Sequence, residues 1–208
     1  MILELAAALA LSERCAPKIA PGTLIPIVRT ESGFDTLAIG VNRGATGWAR
    51  PRTPQAAAQI ARKLIADGAN LDLGLAQINT ANLARLRLSV EDAFDPCRNL
   101  AAAGELLAAN YHAVRGRAPN DQAALRTALS LYNTGRTDRG FRNGYVAKVE
   151  AAARSLVPAI DMAPETKAPT AGDTGPASRD VFARASSSPI LVFAAGAPST
   201  QSSLEVAP

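Results

Sequence analysis

The chain has 208 residues, 48% of them hydrophobic and only 4% aromatic, a balance that suits one globular domain with an appendage. No run of about 20 apolar residues occurs, so no membrane span is expected. Residues 1–157 hold 19 Lys plus Arg against 13 Asp plus Glu, a surplus of +6, while residues 158–208 hold 3 against 5, or −2; such a surplus attracts anionic polymers, but the arginines are scattered and no basic block interleaves with aromatics, so nucleic acid is not the expected partner.

In chain order, residues 1–11 are apolar enough to suggest a secretory signal. Glu4 stands where a cationic region belongs, however, and Glu13 and Arg14 follow without a small-residue cleavage site. These residues read instead as the first helix of the domain, with Ile2, Leu5 and Leu9 on one face, and the export route stays open. Thr23 can cap a helix that runs to about Ser32, with Pro26 in its first turn and Gly33 as the stop. Residues 37–41 suit a short extended piece, and residues 40–53, rich in Gly, Arg and Pro, an irregular loop or small ribbon.

Thr53 and Pro54 open a helix through Ile60 and Leu64 that ends at Gly68. Residues 98–115 place Leu100, Leu107, Tyr111 and Val114 at near-helical spacing before Gly116. Asn120 can cap the next helix, which carries Ala124, Leu125, Ala128, Leu129 and Tyr132, and residues 145–157 make the last. Beyond them the composition turns to Pro, Ala, Ser, Thr and Gly without period, so residues 158–208 read as a disordered tail. Its one apolar stretch, residues 190–195, is too short to bury a core. The expected organisation is a mostly α-helical domain over residues 1–157 followed by that tail.

Chemistry concentrates at Glu31. Val28, Ile27 and Leu24 precede it by three, four and seven positions, which puts its carboxyl on the apolar face of its helix. Lost hydration and the negative end of the helix dipole both favour the protonated form there. A carboxyl group tuned to about 6 to 7 can give a proton to a leaving oxygen at neutral pH. The competing reading is a Glu whose stem packs while its head reaches water at a frayed helix end. His112, the only histidine, reads as exposed or packed, since no serine or cysteine motif waits for it. Cys15 and Cys97 have no clustered partners of metal-binding type, so neither a metal nor another cofactor is expected.

Three motifs stand in order: Glu31-Ser32-Gly33-Phe34, then Gly74-Leu75-Ala76-Gln77-Ile78-Asn79, then Ala128-Leu129-Ser130-Leu131-Tyr132-Asn133-Thr134-Gly135. Together they resemble the soluble lytic transglycosylase family. Cys15-Ala16-Pro17, Ile39-Gly40-Val41 and Asp92-Ala93-Phe94-Asp95-Pro96-Cys97-Arg98-Asn99-Leu100 narrow the likeness to the VirB-type transglycosylases that accompany type IV secretion and conjugation machines. The resemblance covers about residues 3–156 and leaves out the tail.

The resemblance implies a lysozyme-like fold of the α+β class, a periplasmic location, and cleavage of peptidoglycan between N-acetylmuramic acid and N-acetylglucosamine without metal or water as reactant. Glu31 would protonate the bond and then act as base, giving a 1,6-anhydro product. Ser32 would bind substrate or orient the carboxyl, or else cap its own helix end. Gln77 would contact acetamido groups, and Gly74 would let the backbone approach the glycan or simply make a turn. Tyr132 would hydrogen-bond the catalytic glutamate, Tyr145 would be a further cleft tyrosine or a core residue, and Asn133 and Gly135 would shape the turn after their helix. Asn79 suits an N-cap of a helix through Leu83 and Leu86. Trp48 could stack on a sugar or pin its loop.

Cys15 and Cys97 match positions that carry cysteine in the VirB-type group; a bridge suits an oxidising periplasm, and two buried thiols are the alternative. A hydrolytic muramidase of the same fold would need a second carboxylate, for which Asp35 and Asp72 are the nearest candidates, each more naturally a turn organiser. A wall-binding assembly factor without turnover is a third reading. The expected partners are the glycan strands and components of a type IV secretion system.

Overall fold

The computed structural model describes residues 1–44, 47 and 49–161, the last five by backbone alone. Trp48 and residues 162–208, which hold most of the expected tail, lie outside the described residues. The fold is mostly helical with one small antiparallel sheet, as expected for a lysozyme-like domain.

Helix α1 spans Leu5–Cys15 and buries Ala8, Leu9 and Ser12. Ile2 does not share its face. It lies outside the helix, bridges Asp35 and stays exposed, because residues 1–3 run extended beside residues 34–36. Leu3 N–H donates to the Phe34 carbonyl at 3.0 Å and Thr36 N–H to the Met1 carbonyl at 2.9 Å, so this backbone is already paired and unavailable to a helix.

Helix α2 spans Pro21–Glu31 and starts earlier than Thr23. Pro21 occupies the first turn, where a missing N–H costs little, and the Ala20 carbonyl accepts from Thr23 N–H and Leu24 N–H. Thr23 is therefore buried inside the helix rather than capping it, and Pro26 sits mid-helix rather than in the first turn. The interruption is tolerated because Leu24, Ile25, Ile27 and Val28 around it are fully buried, each adding roughly 1.5 to 3 kcal/mol of burial.

The extended piece foreseen near residue 40 becomes β1, Ile39–Arg43. It is the first strand of a sheet in the order β1-β2-β3, with β2 at Asn70–Leu73 and β3 at Ile78–Asn79. Gly40 stands opposite Asp72, and Asp72 opposite Asn79. Strand alternation sends Leu71 and Leu73 into the core and leaves Asn70 and Asp72 on the other face.

Helix α3, Pro54–Ala66, carries the foreseen Thr53 cap. Helix α4, Pro96–Arg115, begins two residues earlier than its apolar pattern indicated, because the Asp95 side chain caps it by accepting from Arg98 N–H. Helix α5, Asp121–Thr134, is capped by Asn120 and ended by Gly135 in the left-handed region. A four-residue helix α6, Arg139–Arg142, was not foreseen. Helix α7, Tyr145–Asp161, runs past the boundary expected at residue 157.

Helix α2 lies along α7, α4 along α5, and α1 against α4. No helix among the described residues is long and apolar enough to cross a membrane. A disulfide joins Cys15 at the end of α1 to Cys97 at the start of α4, with Cα atoms 5.2 Å apart and a sequence separation of 82. Closing so long a loop restricts the unfolded chain. Reduction, or the paired change Cys15→Ser and Cys97→Ser, is expected to lower stability by about 4 to 5 kcal/mol in the chain-entropy account, read as an earlier midpoint in urea unfolding.

Candidate active site

An open cleft of about 760 Å³ separates the sheet from the α4–α6 side of the molecule, within the size range of small-molecule sites. Asn42, Asn70, Asp72, Gln77 and Asn79 line the sheet side, and Asn110, Tyr132, Asn133 and Asn143 the helical side. Glu31 reaches the same space from the end of α2. The lining is dominated by carboxamides, which both donate and accept.

The turn from Gly74 to Gln77 connects β2 to β3 and is buried at Leu75 and Ala76. Buried backbone groups need partners, and here side chains from three helical regions supply them. Ser32 Oγ donates to the Leu75 carbonyl at 2.6 Å, and Tyr132 Oη to the Ala76 carbonyl at 2.8 Å. Asn99, fully buried on α4, accepts from Ala76 N–H at 2.7 Å and donates to the Leu73 and Ala93 carbonyls. Gly74 has φ +74°, and a Cβ there would lie 2.1 Å from the Ala93 oxygen and 2.6 Å from Asn99 Nδ2. Only glycine fits that position.

Glu31 is the last residue of α2, and its carboxyl is half-buried beside the cleft. Burial is the main cause that pushes its pKa up to about 7; the bond from Tyr145 opposes the rise, and the charge of Asp72 adds to it. Tyr145 Oη donates to Glu31 Oε1 at 2.5 Å. Burial first, and the charge of Glu31 second, hold the Tyr145 phenol well above its ordinary range, so it stays a donor across the working pH range. At neutral pH the Glu31 carboxyl can both hold a proton and take one back.

The family model described as Transglycosylase SLT domain matches residues 9–154. The chain belongs to the SLT transglycosylase family. Protein virB1 of Agrobacterium fabrum is 42% identical over 155 residues, covering 74% of this chain and 62% of that protein. Protein virB1 of Rhizobium radiobacter is 43% identical over 155 residues, with 74% and 64% covered. The type IV secretion system protein virB1 of Brucella suis biovar 1 is 37% identical over 175 residues, with 78% and 73% covered. The chain thus spans a little over three fifths of the length of the first two relatives. No solved structure gives a significant match.

Within this SLT domain the three motifs meet, but with a different division of labour from the one foreseen. The hydroxyl that reaches Glu31 belongs to Tyr145, not Tyr132. The start of α7 meets the end of α2, whereas Tyr132 faces the Gly74–Gln77 backbone. Ser32 likewise holds the Leu75 carbonyl rather than the Glu31 carboxyl. Gln77, at φ +51°, turns its amide N–H groups to the Ala38 and Gly74 carbonyls, which leaves its oxygen as the freer end. Asn79 caps the short 3-10 turn Thr80–Asn82 and also donates to Asn70 and Asp72.

Asn133 accepts from Asn143, whose own oxygen accepts from Tyr145 N–H, so this pair sets the start of α7. Asp35 is buried away from the cleft lining, bound to Arg50, Leu37 N–H and the Met1 amino group. Asp72 does line the cleft, where both its oxygens accept from the amides of Asn42 and Asn79. His112 is exposed, edge-on to Tyr111. Among the described residues, no group of three or more His, Cys, Asp or Glu is placed to hold a metal.

Sequence reading gave Asn99 no role of its own. Its signal was an amide on the apolar face of α4, with Ala102, Ala103 and Leu106 three, four and seven positions on. Asn99→Ala is expected to cost about 3 kcal/mol or more, since three hydrogen bonds vanish inside the protein; equilibrium unfolding measures it. Glu31 makes a prediction of opposite sign. An ordinary glutamate titrates at 4.5 and this one at about 7, so ionisation penalises the folded state little below 4.5, increasingly up to 7, and fully above it. Glu31→Gln is expected to match the parent near pH 4 and to exceed its stability by about 2 to 3 kcal/mol at pH 8, read from urea unfolding at both values.

Proposed function

We propose that this chain is a peptidoglycan lytic transglycosylase that cleaves the β-1,4 bond between N-acetylmuramic acid and N-acetylglucosamine, with Glu31 as the group that gives and then takes the proton. The observation that carries the reading is the half-buried Glu31 carboxyl, tuned to about 7 and opening onto a cleft lined by amides. Membership of the SLT family supports it.

In the first step the Glu31 proton passes to the glycosidic oxygen as the bond to the muramoyl anomeric carbon breaks. Charge develops on the sugar while the carboxyl becomes a carboxylate, which the Tyr145 hydroxyl stabilises. In the second step the muramoyl 6-hydroxyl attacks the anomeric carbon and returns its proton to Glu31. A 1,6-anhydro end forms, and the enzyme recovers its starting protonation state. The Gln77 oxygen and the cleft asparagines suit the acetamido and hydroxyl groups of the strand.

The biological setting we propose is local opening of the cell wall for a type IV secretion or conjugation apparatus, in the periplasm. The virB1 proteins of the type IV secretion system support it by likeness, and the Cys15–Cys97 disulfide suits an oxidising compartment. One observation favours a hydrolytic muramidase instead: Asp72 places a second carboxylate in the cleft. Its oxygens are both engaged by asparagine amides, which leaves it poorly arranged to activate water.

Mass spectrometry of digested wall separates the two, because transglycosylation gives anhydro-muramic ends and hydrolysis gives reducing ones. Glu31→Gln is expected to abolish lysis by at least about a hundredfold while the fold is kept. Parent activity is expected to fall as pH rises through about 7, when the acid is lost. Tyr145→Phe removes a bond that favours the ionised form, so it should move that fall to higher pH. Tyr132→Phe should leave the profile in place and lower stability instead, as the Ala76 carbonyl loses its partner.

A further inference from the structure

Two cations line the cleft without an assigned task, Arg85 on the sheet side and Arg139 at the start of α6. Both are exposed. The acidic groups near them in sequence are committed elsewhere: Asp138 pairs with Arg136 and Arg142, Glu91 with Arg62, and Asp92 with Arg98. Within the cleft, Asp72 is taken by Asn42 and Asn79 and Glu31 by Tyr145. Among the described residues no ion pair to Arg85 or Arg139 occurs.

Both guanidinium groups stand on anchored backbone. Arg85 is flanked by Leu83 and Leu86, both buried, and Leu86 N–H is tied to the Asn82 carbonyl. Arg139 precedes Gly140, whose N–H donates to the buried Ser130 hydroxyl and where a Cβ would lie 2.6 Å from Ser130 Cα. Most of the other polar side chains in the lining are carboxamides, which match neutral sugar hydroxyls and acetamides. A guanidinium can donate to neutral sugars, but its stronger, bidentate partner is a carboxylate or phosphate.

We propose that Arg85 and Arg139 form a subsite for the carboxylates carried on the lactyl arms of a muramic strand, so that the cleft prefers an anionic glycan over a neutral one. The reading rests on the proposed peptidoglycan substrate and deepens it: the asparagines recognise the sugar, and the arginines its acidic substituent. Those carboxylates come either from the stem peptide or, where the peptide has been removed, from the lactyl group itself.

The test reads binding rather than cleavage, so a failure of the proposed chemistry does not disguise it. The full chain carrying Glu31→Gln, which prevents turnover, is titrated with three probes of equal length: peptide-bearing strands, amidase-stripped strands, and neutral N-acetylglucosamine oligomers. Peptide-bearing strands are expected to bind more tightly than the neutral oligomer, with a ratio that shrinks as salt rises. Adding Arg85→Ala or Arg139→Ala should each reduce that ratio about threefold, and Arg→Lys at the same position should restore part of it. A stripped strand that binds like the neutral oligomer assigns the preference to the peptide carboxylates, and one that binds like the parent strand shows that the freed lactyl carboxylate serves equally well. Equal affinity for anionic and neutral strands, or a ratio that neither alanine variant changes, overturns the subsite.

Discussion

The buried turn from Gly74 to Gln77 is the constraint on which the rest of the site depends. Its backbone lies out of reach of water at Leu75 and Ala76, so each N–H and C=O needs a protein partner. The partners are side chains of Ser32, Asn99 and Tyr132, each from a different part of the chain. Satisfying one loop therefore docks the end of α2, the first turns of α4 and the last turns of α5 together. The motifs are adjacent in space because hydrogen bonding of a loop demands it, before any substrate is considered.

That docking also sets the acidity of Glu31. Placing the end of α2 against the start of α7 takes much of the carboxyl's hydration away and gives it one donor, the Tyr145 hydroxyl. A single neutral donor is too little to offset the loss of hydration. Asp72, fixed across the cleft by two asparagines, pushes in the same direction as burial. The result is a carboxyl whose two protonation states are close in free energy at neutral pH, as a group that alternates between acid and base requires.

Local signals carried much of the fold. The Thr53 and Asn120 caps and the Gly135 stop stand where short-range hydrogen bonding put them. Thr23 misled because Pro21, directly after Ala20 whose carbonyl accepts the first helical bonds, offers an earlier start with no side-chain cap at all. Strands β2 and β3 have four and two residues, too few to show a period. At the site, the apolar surroundings of Glu31 were legible from helical spacing alone. The identity of its hydroxyl partner was not, since Tyr132 and Tyr145 differ only in which helix packs on which. Asn99 was visible as a polar residue on an apolar face, but its partners lie at Leu73, Ala76 and Ala93, on separate segments whose convergence no local rule gives.

The disulfide has a consequence beyond loop closure. Cys97 lies within one helical turn of Asn99, so the crosslink clamps α1 onto the same stretch of α4 that carries the buried amide. Thiol oxidation and the shape of the cleft are thereby mechanically joined, and the redox state of two sulfur atoms outside the cleft lining bears on how firmly the stretch of α4 around Asn99 is held.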